Sequence, residues 1–486
     1  MKKSVIALLL CVVALAFVMV GCQTPGDGTP TPAPTPTGTV EEELEIVMKA
    51  GDVYKIYFVN TTVENLWVDG VTGVRAQENR QRWLDFQQEY GVTITWIANS
   101  YGNDWPSQVP AAAAAGESIC DIYNMGGPCF IPLSINAGGL SPASYYVDFN
   151  EYIEYTNFKD NRYWDQSATE AVGYYGGKLH VVVPQEIGIG AAALNMVTYF
   201  NKDLLAAGGH SASEIYDLYN KGEWTFDAFR QMCIDCTDLD KNVYGVTNTR
   251  NYLSVYALIY SNGGAVLTNN EQGCPEFTAD SPQALKAVNF FIQLAKDDGV
   301  VLNTNGYWQE EAPFFRDGQS TFMVTYANRA WEGENQGGAI YQNENIQYGI
   351  VLNPKGPDAT DYASSRDWYT PFSAFKGHDN MAGVVQCLSL YNGPQYAADS
   401  AEAVMLLESQ ASLYFQDNES IKILKDAIEK NITVSYMAYW DFGTNGVGHL
   451  TTLPMDSWLK GESTPELDYA AKKDALNIFL AEKLGY

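Results

Sequence analysis

The sequence predicts an α/β fold in which helices cover parallel strands. Three observations lead there. Between Lys55 and Asn124 the apolar residues alternate with period two, then recur at helical spacing, then alternate again, the mark of strand–helix–strand units. Two later stretches, GEWTFDAF and DSPQALKAVNFFIQLAKDDG, carry helix-start signals in front of amphipathic runs. Hydrophobic residues at 46% against 18% charged residues give a chain able to bury a core. Parallel neighbours cannot be joined by a tight turn, so a crossover helix between them is expected.

Residues 55–60 read as the first strand. A helix follows over 77–90, with Trp83, Phe86 and Tyr90 on one face at i, i+3 and i+7. In 92–97, Val92, Ile94 and Trp96 alternate with Thr93 and Thr95, a second strand. A helix near 108–115 and a short strand at 121–124 continue the rhythm. In GEWTFDAF, Thr225 is the N-cap, Trp224 and Phe229 form a hydrophobic staple, and Asp227 favours the helix dipole. In the second stretch Ser281 caps and Pro282 takes the first helical position. Leu285, Val288 and Ile292 share one face, and Gly299 lies past the end. Residues 322–325 and 348–352 read as strands, and 398–430 as helical. No internal repeat is visible. At roughly 100–200 residues per domain, the length of 486 residues allows two or three.

Ahead of this fold stands VMVGCQTPGDGTPTPAPTPTGTVEEE, residues 18–43. Lys2 and Lys3 give a positive start, residues 5–20 are apolar, and small Gly21 follows. The run is short against the about 20 apolar residues of a spanning helix, so 1–21 is expected to be a signal peptide. Met19-Val20-Gly21-Cys22 resembles the lipobox of bacterial lipoproteins, with Met19 where Leu is usual. That resemblance implies lipid on Cys22, a membrane anchor and a place on the extracytoplasmic face of the cell membrane. The plain alternative is a secreted chain with a chance Cys. The Thr/Pro tract, 22–43, cannot bury a core and reads as a semi-rigid tether.

The net charge of −29 excludes a basic nucleic-acid footprint and disfavours anionic ligands. Aromatics reach 13%, led by 32 Tyr, and a surplus of such rings suits sites that grip amphipathic ligands. Beyond Cys11 and Cys22, six Cys remain, too few in so long a chain for a disulfide scaffold. Cys233-Ile-Asp-Cys236 lies within a helical pattern with no second CxxC, which favours buried thiols or an incidental bridge over redox or zinc chemistry. Asp238-x-Asp240-x-Asn242 echoes the start of a calcium loop, but Val243 and Thr249 stand where Gly and an acid are required. No metal and no cofactor are expected.

Six segments together resemble the extracellular solute-binding proteins of ABC importers, in the sugar-binding cluster. They are GGKLHVVVPQE (176–186), TYFNKDLLAAGG (198–209), KGEWTFDAF (221–229), YSNGGAVL (260–267), FRDGQSTFMV (315–324) and YGIVLNPKGPDA (348–359). Each is weak alone; their order over about 50–380 is specific. Thr321-Phe322 and Asn353 depart from the usual pattern, and the last hundred or so residues match least. The resemblance implies a two-lobed, type II periplasmic-binding-protein-like fold. Each lobe would be a mainly parallel sheet flanked by helices, joined by a hinge. It places lobe 1 at 44–185 and 370–425, and lobe 2 at 190–366 and 430–486.

Ligands in such sheets sit beyond the C-terminal ends of strands. That rule selects Tyr101, Asn103 and Trp105; Met125, Gly126 and Gly127; Gln185 and Glu186; and Tyr326, Asn328, Arg329 and Trp331. Trp368 and Tyr369 in the expected hinge join them, with Tyr439, Trp440 and Asp441 near the C-terminus. Asn262 and Gly263 are added from the S-N-G-G turn. Rings can pack on the apolar faces of a pyranose, and carboxylates, amides and Arg can bond its hydroxyl rim. Each has a plain alternative: rings in the core, Asn262-Gly263 as a simple turn, Glu186 or Asp441 as solvated acids, Arg329 paired with Glu332 or Glu334.

The leading expectation is a monomeric binding protein, not an enzyme, that captures an extracellular carbohydrate, an oligosaccharide, and delivers it to an ABC permease. A surface glycoside hydrolase would need two carboxylates across a cleft, and abundant acids leave that open. Against it, the chain lacks eight clear β-α units, and GxSxG, HExxH and phosphate-loop motifs are absent. A peptide-binding lipoprotein of an importer is the third reading.

Overall fold

A computed structural model describes residues 44–58, 74–98, 119–124, 145–248, 250–302, 311–331, 339–434 and 455–484, with isolated positions between 112 and 117. In chain order the strands are β1 (Val53–Phe58), β2 (Thr93–Ala98), β3 (Ile122–Asn124), β4 (Tyr174–Tyr175), β5 (Lys178–Leu179), β6 (Met196–Asn201) and β7 (Tyr244–Asn248). They continue as β8 (Leu267–Asn269), β9 (Pro275–Phe277), β10 (Val301–Leu302), β11 (Ser320–Tyr326), β12 (Tyr348–Leu352), β13 (Ser364–Arg366), β14 (Phe372–Ala374) and β15 (Asn431–Thr433). The helices used below are α1 (Val74–Tyr90), α2 (Phe226–Asp235), α3 (Pro282–Ile292), α4 (Met381–Tyr391) and α5 (Asn418–Glu429).

Two sheets organise the fold. The first has the order β14-β3-β1-β2, the second β10-β7-β11-β6-β12. Within the first, β1 pairs in parallel with β2 and β3, while β14 runs against β3. Within the second, β10, β7 and β11 are parallel neighbours, and β6 runs against both β11 and β12. The sheets are therefore mixed, with one reversed strand each among the described strands. The reason is topological. β6 and β14 each follow a stretch of chain arriving from the other sheet, so each enters at the edge where the remaining strands end.

The first sheet's core gathers Tyr54, Ile56, Ile94, Ile122, Phe149, Trp164 and Leu388, all essentially buried. The second gathers Val197, Phe200, Trp224, Phe229, Phe322 and Ile350. Local signals hold where they were expected. Thr225 accepts from the Ala228 N–H at the start of α2, and the Trp224 and Phe229 rings meet at 5.8 Å. Ser281 accepts from the Ala284 N–H at the start of α3. The helical stretch after 398 is broken, into Ala401–Ala411 and α5. α5 packs on β12, and its Ser420 Oγ accepts from the Ile350 N–H at 3.2 Å.

Buried Gln386 on α4 pins the start of the fold. Its Oε1 accepts from Val47 and Met48, and its Nε2 donates to the carbonyls of Glu45 and Tyr155. Five described cysteines, Cys120, Cys233, Cys236, Cys274 and Cys387, are buried thiols rather than halves of a disulfide. Burial pushes the Cys236 thiol up to about 11, away from the thiolate that redox or zinc chemistry requires. Cys129 lies outside the described residues. In the loop that echoed a calcium site, the Asp238 carboxylate accepts from Lys241 Nζ at 2.6 Å. Among the described residues no helix is long and apolar enough to cross a membrane.

Candidate functional site

Two crossing segments run side by side between the sheets. At one end Val182 and Phe372 exchange both backbone hydrogen bonds at 2.9 Å, next to the first sheet. At the other, Asn195 bridges Arg366 where β6 begins. Pairing β14 with β3 sets Phe372 opposite Asn124, the C-terminal residue of β3. Pairing β11 with β6 sets Tyr326, the C-terminal residue of β11, opposite Met196. Both sheets thus turn the C-terminal edge of their parallel strands toward the crossing segments, the edge where ligands of open α/β sheets bind.

Glu186, on the first segment, accepts from Arg366 Nη2 at 3.0 Å, and Thr370 Oγ1 lies 3.4 Å from the same carboxylate. Arg366 also donates from Nε to the Trp368 carbonyl at 3.2 Å and from Nη1 to the Ala191 carbonyl at 3.5 Å. Its guanidinium lies 5.0 Å from the Tyr369 ring centroid, and the Tyr369 hydroxyl donates back to the Arg366 carbonyl at 2.6 Å. Burial works against the charge on Arg366. Glu186, with Tyr369 and Asp165, outweighs it and holds the pKa above its ordinary value. One buried cation therefore ties both segments together.

Next to it, Tyr326 donates its hydroxyl to both oxygens of Asp367, at 2.8 and 3.0 Å. The Arg329 guanidinium sits 5.6 Å from the Tyr326 ring centroid. Tyr326, Asn328, Arg329 and Asp367 are all buried. Trp331 is partly buried, with Tyr414 at 5.8 Å and Phe415 at 6.5 Å between ring centroids. Trp368 is likewise only partly buried against the second core.

Of the residues selected from sequence, the structure gathers Glu186, Trp368 and Tyr369 around Arg366, and Tyr326, Arg329 and Asn328 at the end of β11. Gln185 donates to the Asn161 carbonyl at 3.0 Å. Asn262 is spent within the protein. Its Nδ2 donates to the Gln283 carbonyl at 2.8 Å and to Asp358 at 3.1 Å, and its Oδ1 accepts from the Asp358 N–H at 3.0 Å. Gly263 has φ 74°, as the turn requires. Tyr101, Asn103, Trp105, Met125, Gly126, Gly127, Tyr439, Trp440 and Asp441 lie outside the described residues, as do Glu332, Glu334 and Cys22. Arg366 and Asp367 were not selected from sequence. Their signal was a charged pair inside a run of small and aromatic residues, YASSRDWYTPFSAF.

His180 stands at the foot of the first crossing segment. It is fully buried, and its Nδ1–H donates to the Val147 carbonyl at 2.8 Å. Its Nε2 has no hydrogen-bond partner among the described residues. Burial pulls its pKa below the ordinary value. The Val147 carbonyl and Asp148 act the other way, and Lys376 and Lys178 add to the lowering. The unfolded chain takes up a proton near pH 6.5 that the folded ring refuses. This contribution is therefore complete above about pH 6.5 and lost as pH falls toward the folded pKa. Urea midpoints at pH 7.5 and pH 5 should differ less in His180→Gln than in the parent; an equal difference would remove His180 from the acid response.

The sequence pattern described as bacterial extracellular solute-binding protein matches residues 75–398. No curated protein sequence matches the chain. Solved structures do. An ABC substrate-binding protein from Listeria monocytogenes in complex with cycloalternan is similar at TM-score 0.55 and 17% identity, over 90% of this chain and 100% of that one. The cyclic alpha-maltosyl-1,6-maltose binding protein from Arthrobacter globiformis is similar at TM-score 0.61 and 13% identity, over 89% and 100%. UgpB from Mycobacterium tuberculosis, in complex with glycerophosphocholine, is similar at TM-score 0.57 and 12% identity, over 90% and 100%. At these identities the likeness is one of fold. The pattern match covers well over half of the sequence, and by it the chain belongs to the bacterial extracellular solute-binding protein family.

Proposed function

We propose that the chain is a substrate-binding lipoprotein that takes an extracellular carbohydrate, an oligosaccharide, between two lobes and passes it to an ABC permease without turning it over. The observation that carries this reading is the meeting of both C-terminal sheet edges at the paired crossing segments, where Trp368, Trp331 and Tyr326 stand beside Glu186, Asp367 and Arg329. Rings can pack on the faces of a sugar, and the charged groups can bond its hydroxyls. The lobes would fall at about 44–185 with 370–425 and 190–366 with 430–486, with α5 at the return. Asn103, Trp105, Met125, Gly126, Trp440 and Asp441 would add to the site from segments that follow strands or return late, and Asn262 with Gly263 would support it. Two of the similar structures hold or are named for cyclic saccharides, and one holds a phosphodiester. The net charge of −29 and the carboxylates of Glu186 and Asp367 favour the neutral polyol.

Thermal unfolding of the purified chain against mono- and oligosaccharides, with short peptides as controls, tests the ligand. A ligand at 100 times its Kd adds about 2.7 kcal/mol to the native state. A shift with one saccharide class, and no new reducing ends released, is expected. Release would support the hydrolase, and a shift with peptides alone would overturn the sugar. Lipid on Cys22 and the tether of 22–43 belong to the same reading; in cells Cys22→Ser should move the chain into the medium, and its retention would refute the anchor.

A further inference from the structure

A recess of about 490 Å³ opens on the first sheet's helical cover, between the last turns of α1 and the end of α4. α1 carries the chain back from the end of β1 to the start of β2, and those strands are parallel. The turns bearing Arg82 to Tyr90 therefore lie at the sheet edge opposite the crossing segments, and the recess is separate from the proposed cleft.

Its chemistry is unbalanced in a specific way. Arg82 Nη2 donates to the Tyr391 carbonyl at 2.7 Å and to the Gly393 carbonyl at 2.8 Å, closing the C-terminus of α4. Among the described residues Nε and Nη1 make no hydrogen bond and no carboxylate pairs with this guanidinium, which lies 5.5 Å from the Tyr391 ring centroid. Burial lowers its pKa, opposed by Tyr391. Asp85, one turn on, takes its hydrogen bond from Gln81 Nε2 at 2.7 Å instead. Glu89 follows a turn later on the same wall. Phe86 and Tyr90 line the recess beside them, their ring centroids 4.6 Å apart, with Leu390 opposite. An anion would meet Asp85 and Glu89, and a cation would meet Arg82. A hydroxyl serves both, accepting from the guanidinium while donating to a carboxylate.

We propose that this recess is a second binding site, outside the cleft, for a neutral polyhydroxylated ligand the size of one sugar ring. Its hydroxyls bond Arg82, Asp85 and Glu89, and its C–H face lies on Phe86 and Tyr90. The open mouth and the small ligand make the site weak, on the order of millimolar. It does not depend on the cleft being a sugar site.

Hydrogen exchange of the full chain, read by mass spectrometry, tests this with D-glucose up to about 100 mM, and with acetate and ethylammonium at matched concentration. Glucose should slow exchange in peptides spanning 81–92 and 388–396. In Asp85→Asn/Glu89→Gln, two exposed positions, the half-saturation should rise about tenfold with the thermal midpoint unchanged. No slowing with glucose, equal slowing in the variant, or slowing by acetate or ethylammonium instead would each overturn the proposal. Peptides over 183–192 and 364–372 report the cleft separately, so either site can fail without the other.

Discussion

Arg366→Ala should lower the stability of the protein by about 3 kcal/mol, the low end of what breaking a buried ion pair costs. The low end applies because the Glu186 side chain keeps 24% of its exposure, so water reaches it once Arg366 is gone. The losses come from four places: the 3.0 Å contact to Glu186, the bonds to the carbonyls of Trp368 and Ala191, and the ring face of Tyr369. Glu186→Gln keeps a hydrogen bond and should cost less, about 1–2 kcal/mol. Urea unfolding of both variants and of Arg366→Met/Glu186→Leu separates the pair from its parts. If Arg366→Ala costs under about 1 kcal/mol, the pair is no more than a surface contact and the two crossing segments are held by backbone alone.

Trp224→Ala should cost about 3–5 kcal/mol, the range for removing a large ring from a packed core. Trp224 is fully buried, donates from Nε1 to the Leu352 carbonyl at 2.9 Å, and packs on Phe229 and Phe322 at 5.8 and 6.1 Å between ring centroids. Its removal leaves a cavity, unpairs a carbonyl at the end of β12, and loosens the staple before the Thr225 cap. Trp224→Phe keeps most of the volume and loses the indole donor, so about 1–2 kcal/mol is expected. Equal losses in the two variants would mean that the hydrogen bond, and not the filled space, carries the effect.

What the sequence disclosed is what short segments decide for themselves. Thr225 and Ser281 were legible as caps because an N-cap bonds a backbone N–H three residues on. β12 was legible because Tyr348, Ile350, Val351 and Leu352 form an apolar, β-prone run around Gly349 that Asn353-Pro354 ends. The reversed direction of β6 and β14 was not legible, since it follows from where the chain re-enters each sheet. Glu186 and Trp368 could be chosen by the rule that ligands gather past strand ends. Arg366 and Asp367 could not, because their burial depends on Glu186, Ala191 and Tyr326, which are neighbours only in the folded chain. Asn262 shows the converse: a family-like turn was legible, but its bonds to Gln283 and Asp358 were not.

The lateness of β14 sets the order in which the protein can be completed. The first sheet begins at Val53, yet its edge strand is Phe372–Ala374, and the helix that covers it and pins residues 45–48 through Gln386 ends at Tyr391. At ribosomal rates of about 5–20 residues per second, β3 waits roughly 12–50 s for β14. During that time β1 to β3 have no finished core to join, so the part of the protein made first is among the last to close.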